Sequence, residues 1–292
     1  MVYTKSPLTR THPVQIPANS IFNYHSSNRP YLYFVDLFSS CTQEDPDKLY
    51  LGVEVEFDTN KPESQRLSCK HDLIDRSNEI FGNNTFAYYM KDGSVDKGLE
   101  LITQPATFAA HEQLEDQYRQ LFAMIKDHGF GSDRFQTCGY HIHFNRSYFC
   151  ESPDFFTVKL LYLVERFWRD LVLLSRRDYD RIVRWANKYN DAPQKVVDNF
   201  KGGCCHSDRY HAINLTNANT IEFRIYKGTL DVDKFLATME LTRNLIVAAK
   251  TKSPGELQRM QFSELITSGR LQKFSHTCHT KKAEEKLPYF LK

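Results

Sequence analysis

The stretch Leu51-Gly52-Val53-Glu54-Val55-Glu56-Phe57 decides how the rest of the chain reads. Residues two apart in a β-strand share a face, so Glu54 and Glu56 point one way and Val53, Val55 and Phe57 the other. The branched and aromatic content, with this alternation, predicts a strand over Leu49 to Asp58. Two further segments repeat the pattern with different titratable groups. Tyr140-His141-Ile142-His143-Phe144 puts two imidazoles on one face, and Ile221-Glu222-Phe223-Arg224-Ile225 puts a carboxylate and a guanidinium there. Each opposite face is large and apolar and is expected to press onto helices. A solvent-facing sheet surface ordinarily mixes Thr, Lys, Ser and Gln, whereas these three faces carry only Glu, His and Arg.

Outward from these segments, Phe86 to Met90 and Leu99 to Thr103 read as strands joined through the turn sequence Asp92-Gly93-Ser94. Thr107 is placed to cap a helix running to Gly129, with Leu114, Tyr118, Leu121, Phe122 and Ile125 on its apolar face. Gly139 to Asn145 is a short strand. Ser152-Pro153 opens a second helix, apolar nearly all round and so expected to be buried. Arg209 to Leu215 and Thr220 to Lys227 read as a hairpin with an Asn-rich turn at Asn217 to Asn219. Asp231 caps a third helix to about Lys250, and Ser253 with Glu256 fits a capping box. Hairpins with helices between them argue an α+β fold with an antiparallel sheet rather than a βαβ series. Residues 1–46, with Pro7, Pro13, Pro17 and Pro30, read as an extension in which Tyr31 to Phe38 could form a strand. Residues 47–268 read as the catalytic domain and 269–292 as a polar tail.

The 292 residues carry 41% hydrophobic and 13% aromatic side chains, which excludes wholesale disorder. A formal net charge of +2 gives no argument for nucleic-acid binding. No apolar run approaches the roughly 18 residues of a membrane span, and Met1 to Ile16 holds no apolar signal core, so a cytoplasmic protein without membrane or nucleic-acid partners is expected. The 7 cysteines, scattered and without repeated C-x-x-C spacing, argue against a disulfide scaffold or zinc ribbon. Cys204-Cys205-His206 matches no usual metal spacing. Arg176, Arg177, Arg181, Arg184 and Lys188, interleaved with Tyr179 and Trp185, read as a solvated face, with an anionic-substrate rim as the alternative.

Glu100, within Leu99-Glu100-Leu101, adds a fourth carboxylate to Glu54, Glu56 and Glu222. Four carboxylates carry about −4 and two divalent metals about +4, so a two-metal site is the simplest way to compensate them. Carboxylate oxygen suits Mg²⁺ or Mn²⁺, and the histidines tilt one position toward Mn²⁺. Asp92 is equally a turn former or a ligand.

At these residues the chain resembles the amidoligase family, carboxylate–amine ligases related to glutamine synthetase and glutamate–cysteine ligase. The resemblance is carried, in order, by Leu51 to Phe57, by Asp92-Gly93-Ser94 with Gly98-Leu99-Glu100-Leu101, by Cys138 to Phe144, and by Arg209 with Ile221-Glu222-Phe223-Arg224. It implies a glutamine-synthetase-like antiparallel sheet shaped as an open funnel, helices packed on its outer face, and ATP entering one end. It also implies an ATP- and Mg²⁺-dependent ligase acting on carboxylate and amine substrates, small molecules or peptides, through an acyl phosphate. By the family's pattern Glu54 and Glu56 divide between metal positions, Glu100 holds one metal, and His141 with Glu222 helps hold another. His143 sits at the acyl or phosphate end, and Arg224 faces the transferring phosphoryl group. Arg209 reaches nucleotide phosphate or the developing charge. Asp92 stands where glutamine synthetase has a second glutamate. Two other readings remain open from the residues: a metal-dependent hydrolase or oxygenase using His141, His143 and a carboxylate, and a non-catalytic protein retaining the fold.

Overall fold

The computed structural model describes residues 21–22, 32–37, 39–82, 86–91, 93, 97–189, 191–201 and 209–291. Asp92, Ser94 and Cys204-Cys205-His206 lie outside them, as do Tyr31 and Phe38 at the ends of the expected N-terminal strand. The chain divides into two compact units, residues 1–140 with 228–235, and residues 141–227 with 236–292. The sheet is mixed and mostly antiparallel, and 11 α-helices accompany it among the described residues.

In the first unit the strands are β1 (Phe34–Val35), β2 (Ser40–Cys41), β3 (Tyr50–Phe57), β4 (Ala87–Met90), β5 (Leu99–Thr103) and β6 (Ala106–Thr107), and β7 (Gly139–Asn145) starts here and runs on into the second unit. β3 pairs antiparallel with β5 along its later half and with β6 at its start. β5 and β6 are therefore two parts of one run, interrupted at Gln104-Pro105, where proline offers no donor to a ladder. β4 pairs antiparallel with β5, as the hairpin reading expects, while β1 joins β6 in parallel. The apolar face of β3 is fully buried: Phe57 meets Tyr89 and Phe130 edge-on, with ring centroids 6.1 and 5.2 Å apart.

Helix α1 (Glu63–Ile80) escapes the sequence reading. Its Ser77 hydroxyl bonds the Leu73 carbonyl and the Tyr89 hydroxyl, each at 2.6 Å, which ties the helix to β4. Instead of one helix from Thr107 to Gly129 there are two, α2 (Phe108–Gln113) and α3 (Glu115–Asp127), separated at Leu114 (φ −90°, ψ 13°). The interruption leaves Leu114, Tyr118, Leu121, Phe122 and Ile125 all buried, so the packing face is preserved through it. Thr107 caps as expected, accepting from the Ala110 amide at 3.3 Å, and Gly129 ends the run at φ +79°, a left-handed conformation that glycine adopts without strain.

The second unit holds α4 (Pro153–Arg166), α5 (Trp168–Ser175), α6 (Tyr179–Trp185), α7 (Pro193–Lys201), β8 (Ile213–Asn214) and β9 (Thr220–Lys227). The sheet order here is β7-β9-β8. The all-apolar second helix is two helices broken at Phe167, and both are largely buried. The hairpin is shorter than expected on its first arm, Ile213 pairing with Phe223 and Asn214 with Glu222. α8 (Val232–Thr251) begins in the first unit, where the Asp231 carboxylate caps it by accepting from the Lys234 amide at 3.1 Å, and continues in the second. There Thr242 donates to the Tyr226 hydroxyl at 3.0 Å, fixing α8 to β9. α9 (Pro254–Arg259) opens on the expected Ser253/Glu256 capping box.

Residues after Gly269, expected as a polar tail, form α10 (Gly269–Cys278) and α11 (Lys281–Glu285). Leu271, Phe274 and Cys278 supply a buried stripe at helical spacing inside a polar composition, and average composition conceals so narrow a face. No described helix is long and apolar enough to cross a membrane.

Candidate active site

On β3, Glu54 and Glu56 share one face, and the β3–β5 register sets Glu100 directly opposite Glu56, so three carboxylates stand on one patch of sheet. Glu56 and Glu100 are 5% and 3% exposed, which removes water as the means of separating their charges. Glu54 and Glu100 each offer a carboxylate oxygen within 4.8 Å of the other. Glu56 is oriented by the Gly139 amide, which donates to Oε2 at 2.5 Å. Ser132 donates to the Glu56 carbonyl at 2.6 Å, holding the backbone beneath that side chain. Paired carboxylate oxygens such as those of Glu54 and Glu100 are of the kind that Mg²⁺ and Mn²⁺ take.

In the second unit, Glu222 is the centre of a compact constellation and is only 2% exposed. Its Oε1 lies 2.5 Å from the Arg224 guanidinium, 3.5 Å from His141 Nδ1 and 3.9 Å from His143 Nε2. Oε2 accepts from Asn214 Nδ2 at 2.7 Å and from Asn217 Nδ2 at 3.4 Å. His143 Nδ1 is 3.2 Å from the Thr220 hydroxyl, which fixes the ring plane. Strand alternation explains the arrangement: Glu222 and Arg224 share one face of β9, while Ile221, Phe223 and Ile225 are buried on the other. An imidazole beside a carboxylate is a mixed N/O donor pair of the kind that a divalent transition metal or a tolerant Mg²⁺ site accepts. Arg224 supplies a fixed cation beside it.

Of the expected residues, Glu54, Glu56 and Glu100 belong to the first unit and His141, His143, Glu222 and Arg224 to the second. Arg209 is exposed just before β8, its guanidinium 5.4 Å from the Tyr210 ring centroid. Asp92 lies outside the described residues. The sequence reading gave no role at the site to Asn214, Asn217, Thr220 or the Gly139 amide. Pairing the two arms as read, Leu215 against Thr220, sets Asn214 against Ile221, whereas the observed register is one residue longer and sets it against Glu222.

Three members of the basic run in the second unit make local contacts. Arg176 donates to the Lys227 carbonyl at 2.9 Å, Arg184 lies 4.7 Å from the Trp185 ring centroid, and Lys188 stands 3.5 Å from Glu165.

A family model described as "putative amidoligase enzyme" matches residues 54–246. The chain belongs to this amidoligase family. Membership implies amide-bond ligation, and the matched span contains every carboxylate, imidazole and guanidinium described above. No curated protein matches the chain.

Proposed function

We propose that this amidoligase joins a carboxylate to an amine at the expense of ATP, through an acyl phosphate. The observation that carries the reading is the opposition of Glu56 and Glu100, both buried, with Glu54 beside them on the same face. Carboxylates so placed resist joint ionisation unless cations compensate them. In this reading Glu54, Glu56 and Glu100 on the one hand, and His141 with Glu222 on the other, hold Mg²⁺ or Mn²⁺. The metals would supply charge neutralisation on the nucleotide phosphates. The sheet is then the open funnel of glutamine-synthetase-like ligases, with ATP entering one end.

The need for these residue types follows from the reaction. A carboxylate is a poor electrophile because an amine cannot expel oxide from it. Attack of a carboxylate oxygen on the γ-phosphorus of ATP releases ADP and leaves an acyl phosphate. The amine nitrogen then attacks the acyl carbon, inorganic phosphate leaves, and the nitrogen loses a proton. Phosphoryl transfer asks for positioning and electrostatic stabilisation rather than a protein nucleophile. Arg224, already oriented by Glu222, would meet charge on the moving phosphoryl group, and Arg209 would reach the nucleotide phosphates. His143, steered by Thr220, would stand at the acyl or phosphate end. The substrates would be a small acid and an amine, or a peptide bearing either group.

The test is ATP-dependent turnover. The full chain, incubated with ATP, Mg²⁺ and mixed acids and amines, is expected to release ADP only when metal is present. Glu54→Ala and Glu222→Ala are each expected to abolish that release while remaining folded by circular dichroism. ADP release independent of metal, or unchanged in both variants, would overturn the reading.

A further inference from the structure

The two oxygens of Glu222 are treated differently by their surroundings. Oε1 faces His141 and His143 and accepts from the Arg224 guanidinium at 2.5 Å, whereas Oε2 is taken by neutral amide donors, chiefly Asn214 Nδ2 at 2.7 Å. The orientation of that amide is determined by its other end. Asn214 Oδ1 accepts from the Thr216 amide at 2.9 Å and from the Thr216 hydroxyl at 2.8 Å, so Nδ2 must be the end turned toward the carboxylate. Thr216 lies in the 215–219 turn, and that turn is clamped by Arg146. The Arg146 guanidinium donates to the Asn217 carbonyl at 2.8 Å and to the Leu215 carbonyl at 2.5 Å, and its backbone amide bonds the Asn219 carbonyl at 3.0 Å. A relay thus runs from Arg146 through the turn to Thr216, Asn214 and Glu222.

We infer that Asn214 is a positioning residue that pins Glu222 through Oε2 and so presents Oε1 alone to a divalent cation. The inference rests on the metal-binding role proposed above for Glu222. One-oxygen presentation has a chemical consequence. Mg²⁺ demands near-ideal octahedral geometry at about 2.0–2.1 Å, whereas the larger Ca²⁺ accepts both oxygens of one carboxylate. Releasing Oε2 should therefore disfavour the smaller ion selectively.

The experiment uses the full chain and no substrate. Mn²⁺ alone is titrated and its free fraction is read by electron paramagnetic resonance, and Mg²⁺ and Ca²⁺ are then added as competitors. In Asn214→Ala, Mg²⁺ is expected to compete about 10–100-fold less well, the range for removing the partner of a metal ligand, while Ca²⁺ competes as in the parent. Thr216→Val, which removes only the hydroxyl that steers the amide, should shift the same ratio in the same direction by less, and it decides the matter if Asn214→Ala fails to fold. Parallel weakening of Mg²⁺ and Ca²⁺, or parent-like competition by both ions in folded variants, overturns the positioning role. A parent chain that binds no Mn²⁺ overturns the metal reading itself, and this inference with it. A parent that binds Mn²⁺ beside variants with an unshifted ratio leaves the metal reading standing and removes only Asn214 from it.

Discussion

The Arg224–Glu222 pair shows what a single two-residue spacing can and cannot convey. Same-face placement on β9 is read directly from Ile221-Glu222-Phe223-Arg224-Ile225, and the structure has the two side chains in contact at 2.5 Å. Sequence alternation carries no information on depth, and it is depth that distinguishes this pair: Glu222 has 3% and Arg224 14% of its side chain exposed. Truncating one partner of a buried pair leaves the other charge uncompensated, a different matter from losing a surface ion pair. Arg224→Ala is expected to lower ATP-dependent turnover at least ~10²-fold, as for loss of a transition-state charge partner. An effect confined to KM in steady-state kinetics would take Arg224 out of the chemistry. The amides around Oε2 were harder to find, because asparagines in a turn ordinarily serve the turn itself, as Asn214 Oδ1 does with Thr216.

Among elements, the strands were the most legible, since their period-two pattern is strict wherever one face is buried. β3, β4, β5, β7 and β9 all lie within the segments that alternation marks. Helix interruptions were not legible. Leu114 and Phe167 are ordinary helix residues, and nothing in their type announces the departure from helical dihedrals at each. Gly98 just before β5 is a further constraint that spacing could not reveal. A Cβ there would stand 2.8 Å from the Asp58 Cα and 2.7 Å from the Phe57 carbonyl carbon, against backbone that cannot yield cheaply. Gly98→Ala is expected to cost about 1–3 kcal/mol in urea unfolding and, by displacing the strand that carries Glu100, to weaken Mn²⁺ binding as well. At the end of α10, His279 stands with Nε2 3.1 Å from Asp170 on α5 and Nδ1 2.9 Å from the Ser275 carbonyl. Asp170, helped by the Ser275 carbonyl, holds the imidazole pKa above its ordinary value, against burial and the neighbouring Arg169, which act to lower it; the Ser275 hydroxyl and the Phe262 ring beside it are uncharged. A raised folded-state pKa gives stability that is fully present below the unfolded value and lost as pH rises through the folded one. His279→Gln should therefore lower Tm relative to the parent near pH ~6 and match it near pH ~9, measured in paired thermal melts.

For the molecule as a whole, the succession of hairpins and helices pointed to an α+β class and the composition to a substantial core, but neither could foresee two compact units or an ordered C-terminal region. The region beyond Ser268 is held by more than its own apolar stripe. Glu240 on α8 is buried and accepts from the Thr267 hydroxyl at 2.9 Å and the Ser268 hydroxyl at 2.5 Å, and Arg169 on α5 pairs with Glu284 at 3.0 Å. Truncation after Thr267 is expected to lower both Tm and soluble yield, because it exposes the surface that Leu271 and Phe274 cover and removes a hydroxyl partner from a buried carboxylate. A truncated chain melting with the parent would show that α10 contributes nothing to the unit. The boundary between the units has its own consequence. It falls after Tyr140 inside β7, between Lys227 and Gly228 at the end of β9, and after Phe235 inside α8. A fragment stopping at Tyr140 would keep two residues of a seven-residue strand. The halves are accordingly unsuited to expression as stand-alone modules or to exchange by recombination at those joints, and a chimera that respects the protein must be cut in the connecting loops instead.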